Sequence, residues 1–250
     1  MDRAKYGNTP AAPGEFREDN APAVRPRHAS TLIVVRQEAD APKILMGKRA
    51  ASHKFMPNKF VFPGGRLDVV DQRLAVPQQL DQAVMQRLRK HTQKRVSDNT
   101  LRGLALAAIR ETYEETGLII GRRTDTPLRS SNEVWQSYFN HGVEPPLAHL
   151  DFICRAVTPT FRTRRFDTRF FMVYDDFIHT DPESMEKASG ELLDLHWLTL
   201  EDARQLDLPS ITRTVIDMVE NRMKLNRAKQ MAATAPYFHM KNGKWATSEL

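Results

Sequence analysis

Short apolar runs alternate with long polar and charged stretches along the chain, and the period of each run says what it builds. Ser30-Thr31-Leu32-Ile33-Val34-Val35 is β-branched and nearly continuous, the pattern of a buried strand. A polar turn from Gln37 to Pro42 leads to a second strand, Lys43 to Gly47, and a third, Phe60-Val61-Phe62, stops at Pro63-Gly64-Gly65. From Thr100 to Thr116 the period becomes helical. Leu101, Leu104, Ala105, Ala108 and Thr112 form one stripe, which Leu106, Ile109 and Tyr113 widen. Gly117 stands where a left-handed C-terminal cap belongs. Further strands are expected at 118–120, 149–157, 169–174 and 192–198, followed by a helix at 200–206 and a long amphipathic one from about 210 to 231.

Strands with interspersed helices, out of strict βαβ alternation, predict an α/β (α+β) domain on a mixed sheet. Residues 1–28 hold four prolines, charges of both signs and few large apolar groups, so a disordered tail is expected. The main domain is expected over 29–205, a helical extension over 206–236 and a loose tail over 237–250. The stretch 72–99 is rich in Gln, Arg and Lys, with Leu74, Leu80, Val84, Met85 and Leu88 loosely at helical spacing. One or two surface helices with a solvated face are the expectation there.

Composition narrows the class. The 250 residues suit one to two domains, and 40% apolar with 27% charged is ordinary for a globular chain. A net charge of +6 favours anionic partners. Cys154 has no second cysteine for a disulfide or thiolate zinc cluster, which suits a reducing compartment. No apolar run reaches the ~18 residues of a membrane span, and the start lacks the apolar core of a signal peptide. A cytoplasmic protein without a membrane partner is expected.

The chemistry concentrates in Arg110-Glu111-Thr112-Tyr113-Glu114-Glu115-Thr116-Gly117-Leu118. Glu111, Glu114 and Glu115 fall on one helical face, where like charges repel. Arg110, four residues before Glu114, can partly neutralise them, and a hard divalent cation would neutralise the rest. A solvated acidic patch is the alternative for such a pattern taken alone. Its company argues otherwise. Pro63-Gly64-Gly65 follows a strand, and its glycines let the backbone approach a metal or phosphate closely. Arg66, a fork-shaped donor suited to phosphate, comes next.

Gly-Gly followed downstream by R-E-x-x-E-E-x-G-U, with U apolar, resembles the Nudix box, whose usual form is G-x5-E-x7-R-E-U-x-E-E-x-G-U. Gly65, Arg110, Glu111, Glu114, Glu115, Gly117 and Leu118 match, while Thr112 takes an apolar slot. Asp71 stands where the first Glu is expected. Arg110 follows Gly65 by 45 residues where the family pattern spaces them by 14, so 31 residues are inserted, which puts a role for Asp71 in doubt. Pro63-Gly64-Gly65 with Asp68 and Asp71, the long insertion and the run Arg164 to Phe171 look like the peroxisomal coenzyme A diphosphatases and their bacterial relatives.

The resemblance implies a Nudix fold, a mixed β-sheet sandwiched between helices, with a helical insertion inside the box and a C-terminal helix. It implies a hydrolase that cleaves the diphosphate bond of a nucleoside diphosphate linked to another moiety by water attack at phosphorus, with coenzyme A or acyl-CoA preferred. The implied cofactor is Mg²⁺ or Mn²⁺ on Glu111, Glu114, Glu115 and the carbonyl of Gly64. Glu111 could instead be the base, and Arg110 would orient the acidic face. Arg66, Arg165 and Arg169 are candidates for the substrate's phosphates. Glu191 could reach the site from across the sheet or simply begin a strand. NADH, ADP-ribose and nucleotide sugars stay open as substrates, as does a non-catalytic nucleotide- or RNA-binding protein, although nucleic acid is disfavoured. Residues 72–99 could serve a homodimer or cap the sheet. Cys154, Trp197, Phe60 and Phe62 read as core residues.

Overall fold

In the computed structural model, residues 15–17, 21–52, 55–183 and 190–250 are described. The chain begins with strands β1 (Arg27–Arg36), β2 (Lys43–Arg49), β3 (Phe60–Val61) and β4 (Gly64–Arg66). Helices α1 (Val69–Arg73), α2 (Gln82–Arg89) and α3 (Asp98–Thr116) follow, then β5 (Arg122–Arg123), α4 (Glu133–Phe139) and β6 (Val143–Glu144). Next come β7 (Asp151–Val157), β8 (Phe166–Tyr174), β9 (Leu192–Thr199), α5 (Leu200–Gln205), α6 (Ser210–Met223), α7 (Arg227–Ala232), β10 (Pro236–Lys241) and β11 (Lys244–Glu249).

The main sheet runs β11-β10-β7-β8-β1-β2-β3, with β4 also on β1 and β9 also on β2. It is mixed, because β1 is parallel to β8 and antiparallel to β2 and β4. In β1, Leu32 and Val34 face one core and Ile33 and Val35 the other. Both faces being covered explains why the run reads as continuous rather than alternating. On the first face lie α3, the 72–99 segment and α4; on the second lie α5 and α6. The expected sandwich is the observed one.

One departure from a simple sheet opens the functional site. β2 pairs with β1 only around Val35–Ile44, then leaves it to pair with β3 through Gly47 and Lys48. The start of β1 is taken instead by β4, through Ala29, Ser30 and Thr31. The sheet forks, and a cleft of about 730 Å³ lies in the fork.

Several sequence expectations need correction. The 72–99 segment does not present merely a solvated face: Leu74, Val76, Leu80, Val84 and Leu88 are buried in the same core as α3. Its ends are stapled together, by Thr100 Oγ1 donating to Gln72 Oε1 at 2.9 Å and Arg102 donating to the Leu74 carbonyl at 2.8 Å. Residues 118–120 are buried but form only an isolated bridge, Ile120 to Ile178, rather than a strand. The expected 210–231 helix is two, because Asn226 caps a new helix with its side chain on the Lys229 N–H. Residues 237–250 are not loose; β10 and β11 form a hairpin that extends the sheet from β7. The N-terminal expectation fails from Arg27, already in β1, and Glu15 is ion-paired to Arg162 at 2.6 Å. Residues 1–14 and 18–20 of that expected tail lie outside the described residues.

Burial of the 72–99 segment sets a stability test. Leu88→Ala removes a side chain only 2% exposed, and a buried Leu→Ala change costs about 2–5 kcal/mol. Thermal unfolding is expected to fall by at least about 5 °C, while the exposed Lys94→Ala shifts it by less than about 2 °C. Equal, small shifts for both would show the segment to be a surface appendage.

Candidate active site

The floor of the cleft is the C-terminal half of α3 set against β4. Ser97 caps the helix by accepting from the Thr100 N–H, and Gly117 ends it with φ 73°, its N–H donating to the Tyr113 carbonyl. The face toward the sheet is almost wholly apolar, and Thr112 joins it by donating its hydroxyl to the Ala108 carbonyl at 2.8 Å. Burial of that face fixes the rotation of the helix, which aims Glu111 and Glu115 at the Gly64–Gly65 turn.

Gly64 admits only glycine, and a side chain on Gly65 would displace the Glu111 carboxylate. Gly64 has φ 154°, and a Cβ there would lie 2.4 Å from the Ser30 carbonyl oxygen. A Cβ on Gly65 would fall 2.3 Å from the Glu111 carboxyl carbon. The N–H of Gly64 donates to Glu115 Oε2 at 2.9 Å. Backbone and carboxylates therefore touch directly, with no side chain between them.

Arg110 organises the acidic face. Its Nε and Nη2 donate to the two oxygens of Asp71, both at 2.9 Å, and Nη2 also donates to the Arg66 carbonyl at 3.1 Å. Its Nη1 lies 2.5 Å from Glu114 and 3.1 Å from Glu111. Burial opposes the Arg110 charge, but Asp71, Glu111 and Glu114 more than offset it and hold its pKa above the usual value. Asp71 is fully buried, caps α1 by accepting from the Asp68 N–H, and accepts the indole N–H of Trp135 at 3.0 Å.

Burial raises Glu111 to a pKa of about 7, opposed by Arg110 and assisted by Glu114. Burial raises Glu115 to about 8, with the Gly64 N–H and Arg49 opposing and Glu111 and Glu191 assisting. Two carboxylates held in one place with unmet negative charge are what a hard cation relieves. Among the described residues no three acidic, histidine or cysteine side chains form a preassembled metal cage. The donor set suits an ion held by one or two carboxylates and completed by water and phosphate oxygens, as Mg²⁺ is.

The other expected residues distribute unevenly. Glu111, Glu115, Gly64, Arg66, Arg165 and Glu191 all line the cleft. Glu114 is outside that lining and is held by Arg110. Arg169 is fully buried beside Asp167 at 2.9 Å and does not line the cleft, so the expectation that it meets substrate phosphate fails. Cys154 is fully buried and its thiol pKa is pushed up, which fits a core residue and not a nucleophile.

No protein-family model matches the chain. A NUDIX hydrolase from Alicyclobacillus acidocaldarius has a similar structure, with a TM-score of 0.59 and 26% identity over 85% of this chain and 98% of that one. The chain has the fold of the Nudix hydrolases. It is also 25% identical over 179 residues to a Caenorhabditis elegans protein named "Putative nudix hydrolase 7", covering 62% of this chain. The chain spans about half, 46%, of that relative's length.

Two site residues were not found from sequence. Arg49, at the end of β2, lines the cleft, and Glu115, Glu191 and Glu111 act on its charge. Trp135 belongs to α4, a helix whose signal was present: Asn132 as cap and Trp135, Tyr138 and Phe139 at helical spacing. The doubt over Asp71 is resolved by its bidentate pair with Arg110. Asp71→Asn leaves that buried guanidinium short of its counter-charge, which costs about 3–5 kcal/mol. Denaturant unfolding is expected to show a loss of that size; a loss below about 1 kcal/mol would show that Asp71 is not the partner on which Arg110 depends.

Proposed function

We propose that the chain hydrolyses the diphosphate bond of a nucleoside diphosphate linked to another moiety, using Mg²⁺ or Mn²⁺. The observation that carries this reading is the pair of half-buried Glu111 and buried Glu115 at the floor of an open cleft, against Gly64 and Gly65. Glu111, Glu115 and the Gly64 carbonyl would hold the cation, which when bound neutralises phosphate charge and supplies an activated water. Arg110 positions the two carboxylates and takes up the charge of Glu114. Arg66 and Arg165 face the cleft with guanidinium groups suited to phosphate oxygens. Glu191 adds a third carboxylate to the wall. Coenzyme A and its acyl esters are the first substrates to test, on the strength of the sequence resemblance, ahead of NADH, ADP-ribose and nucleotide sugars. No helix among the described residues is long and apolar enough to cross a membrane.

Incubation with a panel of these substrates and identification of products tests the reading. Release of adenosine 3′,5′-bisphosphate marks cleavage of coenzyme A, and AMP marks the other adenine substrates. Glu115→Gln is expected to lower turnover by at least about two orders of magnitude. Unchanged turnover in that variant would remove the proposed site, and unaltered nucleotide binding without any turnover would favour a non-catalytic binder.

Metal dependence has its own signature. Glu111 and Glu115 bind protons more tightly in the folded chain than the ordinary value of 4.5 allows in the unfolded one. Without metal their contribution is full below pH 4.5 and is lost as pH rises through about 7 and 8. A cation restores it by replacing the protons. Mg²⁺ is therefore expected to raise the melting temperature more at pH 8 than at pH 6, relative to EDTA. An equal rise at both values, or none, would exclude these carboxylates as ligands.

A further inference from the structure

Exposed and buried arginines differ in what they require. Arg25, Arg27 and Arg164 on the far wall of the cleft are exposed, so water meets their charge. Arg169 in β8 is fully buried, and bulk water does not reach it. Its polar contacts all come from Nη1, which donates to the Asp167 carbonyl at 2.8 Å and lies 2.9 Å from Asp167 Oδ1 and 3.2 Å from His28 Nδ1. Among the described residues, its Nε and Nη2 have no partner. These two atoms form one edge of the guanidinium, the fork that takes two parallel hydrogen bonds from an anion. Asp71 fills that edge in Arg110, and Asp167 fills it in Arg155 with both bonds at 2.7 Å. Arg169 is buried more deeply than either, and its edge meets no carboxylate.

The register of the sheet says what lies beside it. Ser30 of β1 is the cross-strand partner of Arg169, and Gly65 of β4 is the partner of Ser30. Two residues on, the partners Leu32 and Phe171 face one core, so Ser30 and Arg169 share that face as well. Ser30 is fully buried, and its hydroxyl also has no partner. On the other flank stands Arg155, so two guanidinium groups share the one carboxylate of Asp167. His28, its pKa lowered by burial, brings no compensating charge. Burial lowers Arg169 to a pKa of about 10, with Asp167 opposing and Arg155 assisting, so its charge persists at neutral pH. A water molecule on the empty edge would satisfy the donors and leave the charge. A buried charge is costly until an opposite charge meets it. Two forked N–H donors with an O–H beside them suit an anion, and full burial of both residues restricts it to a small one. We propose that a halide-sized monovalent anion, chloride in ordinary solution, binds between Arg169 and Ser30. Arg169 stands two strands from Gly65, about 10 Å across the sheet, so this anion is separate from the cation and phosphates of the hydrolytic reading.

Thermal unfolding of the full chain tests it, with potassium chloride replacing potassium gluconate at a fixed ionic strength of about 0.15 M. Chloride is expected to raise the melting temperature by at least about 3 °C along a saturating curve, and bromide to do the same. Arg169→Met removes the charge and the donors while Asp167 keeps its pair with Arg155. That variant is expected to lose the halide response and, in gluconate, to melt no lower than the unaltered chain, because no uncompensated charge remains. Ser30→Ala keeps the charge and loses one donor, and the half-saturating chloride concentration is expected to rise about tenfold. Bromide soaked into crystals is expected to give an anomalous peak at Nε and Nη2 of Arg169. Should Arg169→Met not fold, Ser30→Ala and the bromide position decide the matter. Melting that is the same in gluconate and chloride would show that water fills the edge and would overturn the inference. A halide response kept in full by Arg169→Met, or bromide found only elsewhere, would overturn it too. None of these outcomes bears on hydrolysis, so the two readings stand or fall separately.

Discussion

Everything at the floor of the cleft hangs on one buried guanidinium. Arg110 spends its donors on Asp71, the Arg66 carbonyl and Glu114, with Glu111 beside it. In doing so it joins α3 to α1 and to the end of β4, while Asp71 reaches α4 through Trp135. A charge taken out of water is expensive unless its geometry is met on all sides, so these elements have one arrangement in which the charge is satisfied. The acidic face is thereby fixed before any ligand arrives. Arg110 pairs with Glu114 outside the cleft lining, while burial of the apolar face of α3 aims Glu111 and Glu115 into it.

The cleft has two chemically distinct halves. Its floor is acidic and mostly buried; its far wall is basic and exposed. A forked sheet makes this possible, since strands that part within one sheet expose both backbone edges and side chains from either branch.

How much was legible in sequence follows from the kind of signal each part leaves. β1, the α3 stripe and the Gly117 cap were readable because local periodicity and local capping dictate them. Glu111, Glu115 and Gly64 were readable because their spacing on one helix and one turn is local too. The role of Asp71 was hidden, since 39 residues separate it from Arg110 and only the packing of α1 on α3 joins them. The 72–99 segment looked like surface because its many charges mask five apolar residues that face inward. The C-terminal hairpin was lost for a related reason. β10 is of intermediate burial at all but its last position and β11, the edge strand, is exposed at four of six, so neither carries the strong apolar run of β1. Arg169 misled by type: an arginine near a basic run suggests phosphate, and only the register with Ser30 places it inside the sheet.

The stapled ends of the 72–99 segment bear on how such a chain can vary. The detour leaves at Gln72 and Leu74 and returns at Thr100 and Arg102, and those residues hold one another across its neck. Beyond that neck the segment still packs Val76, Leu80, Val84 and Leu88 into the core shared with α3, so only its exposed loops can change length at the cost of loop entropy alone, roughly 0.6 kcal/mol per doubling. The neck acts as a mechanical ground. The frame of the cleft is insulated from the length of those exposed loops, which are free to lengthen or shrink while the distance from Gly65 to Glu111 stays the same.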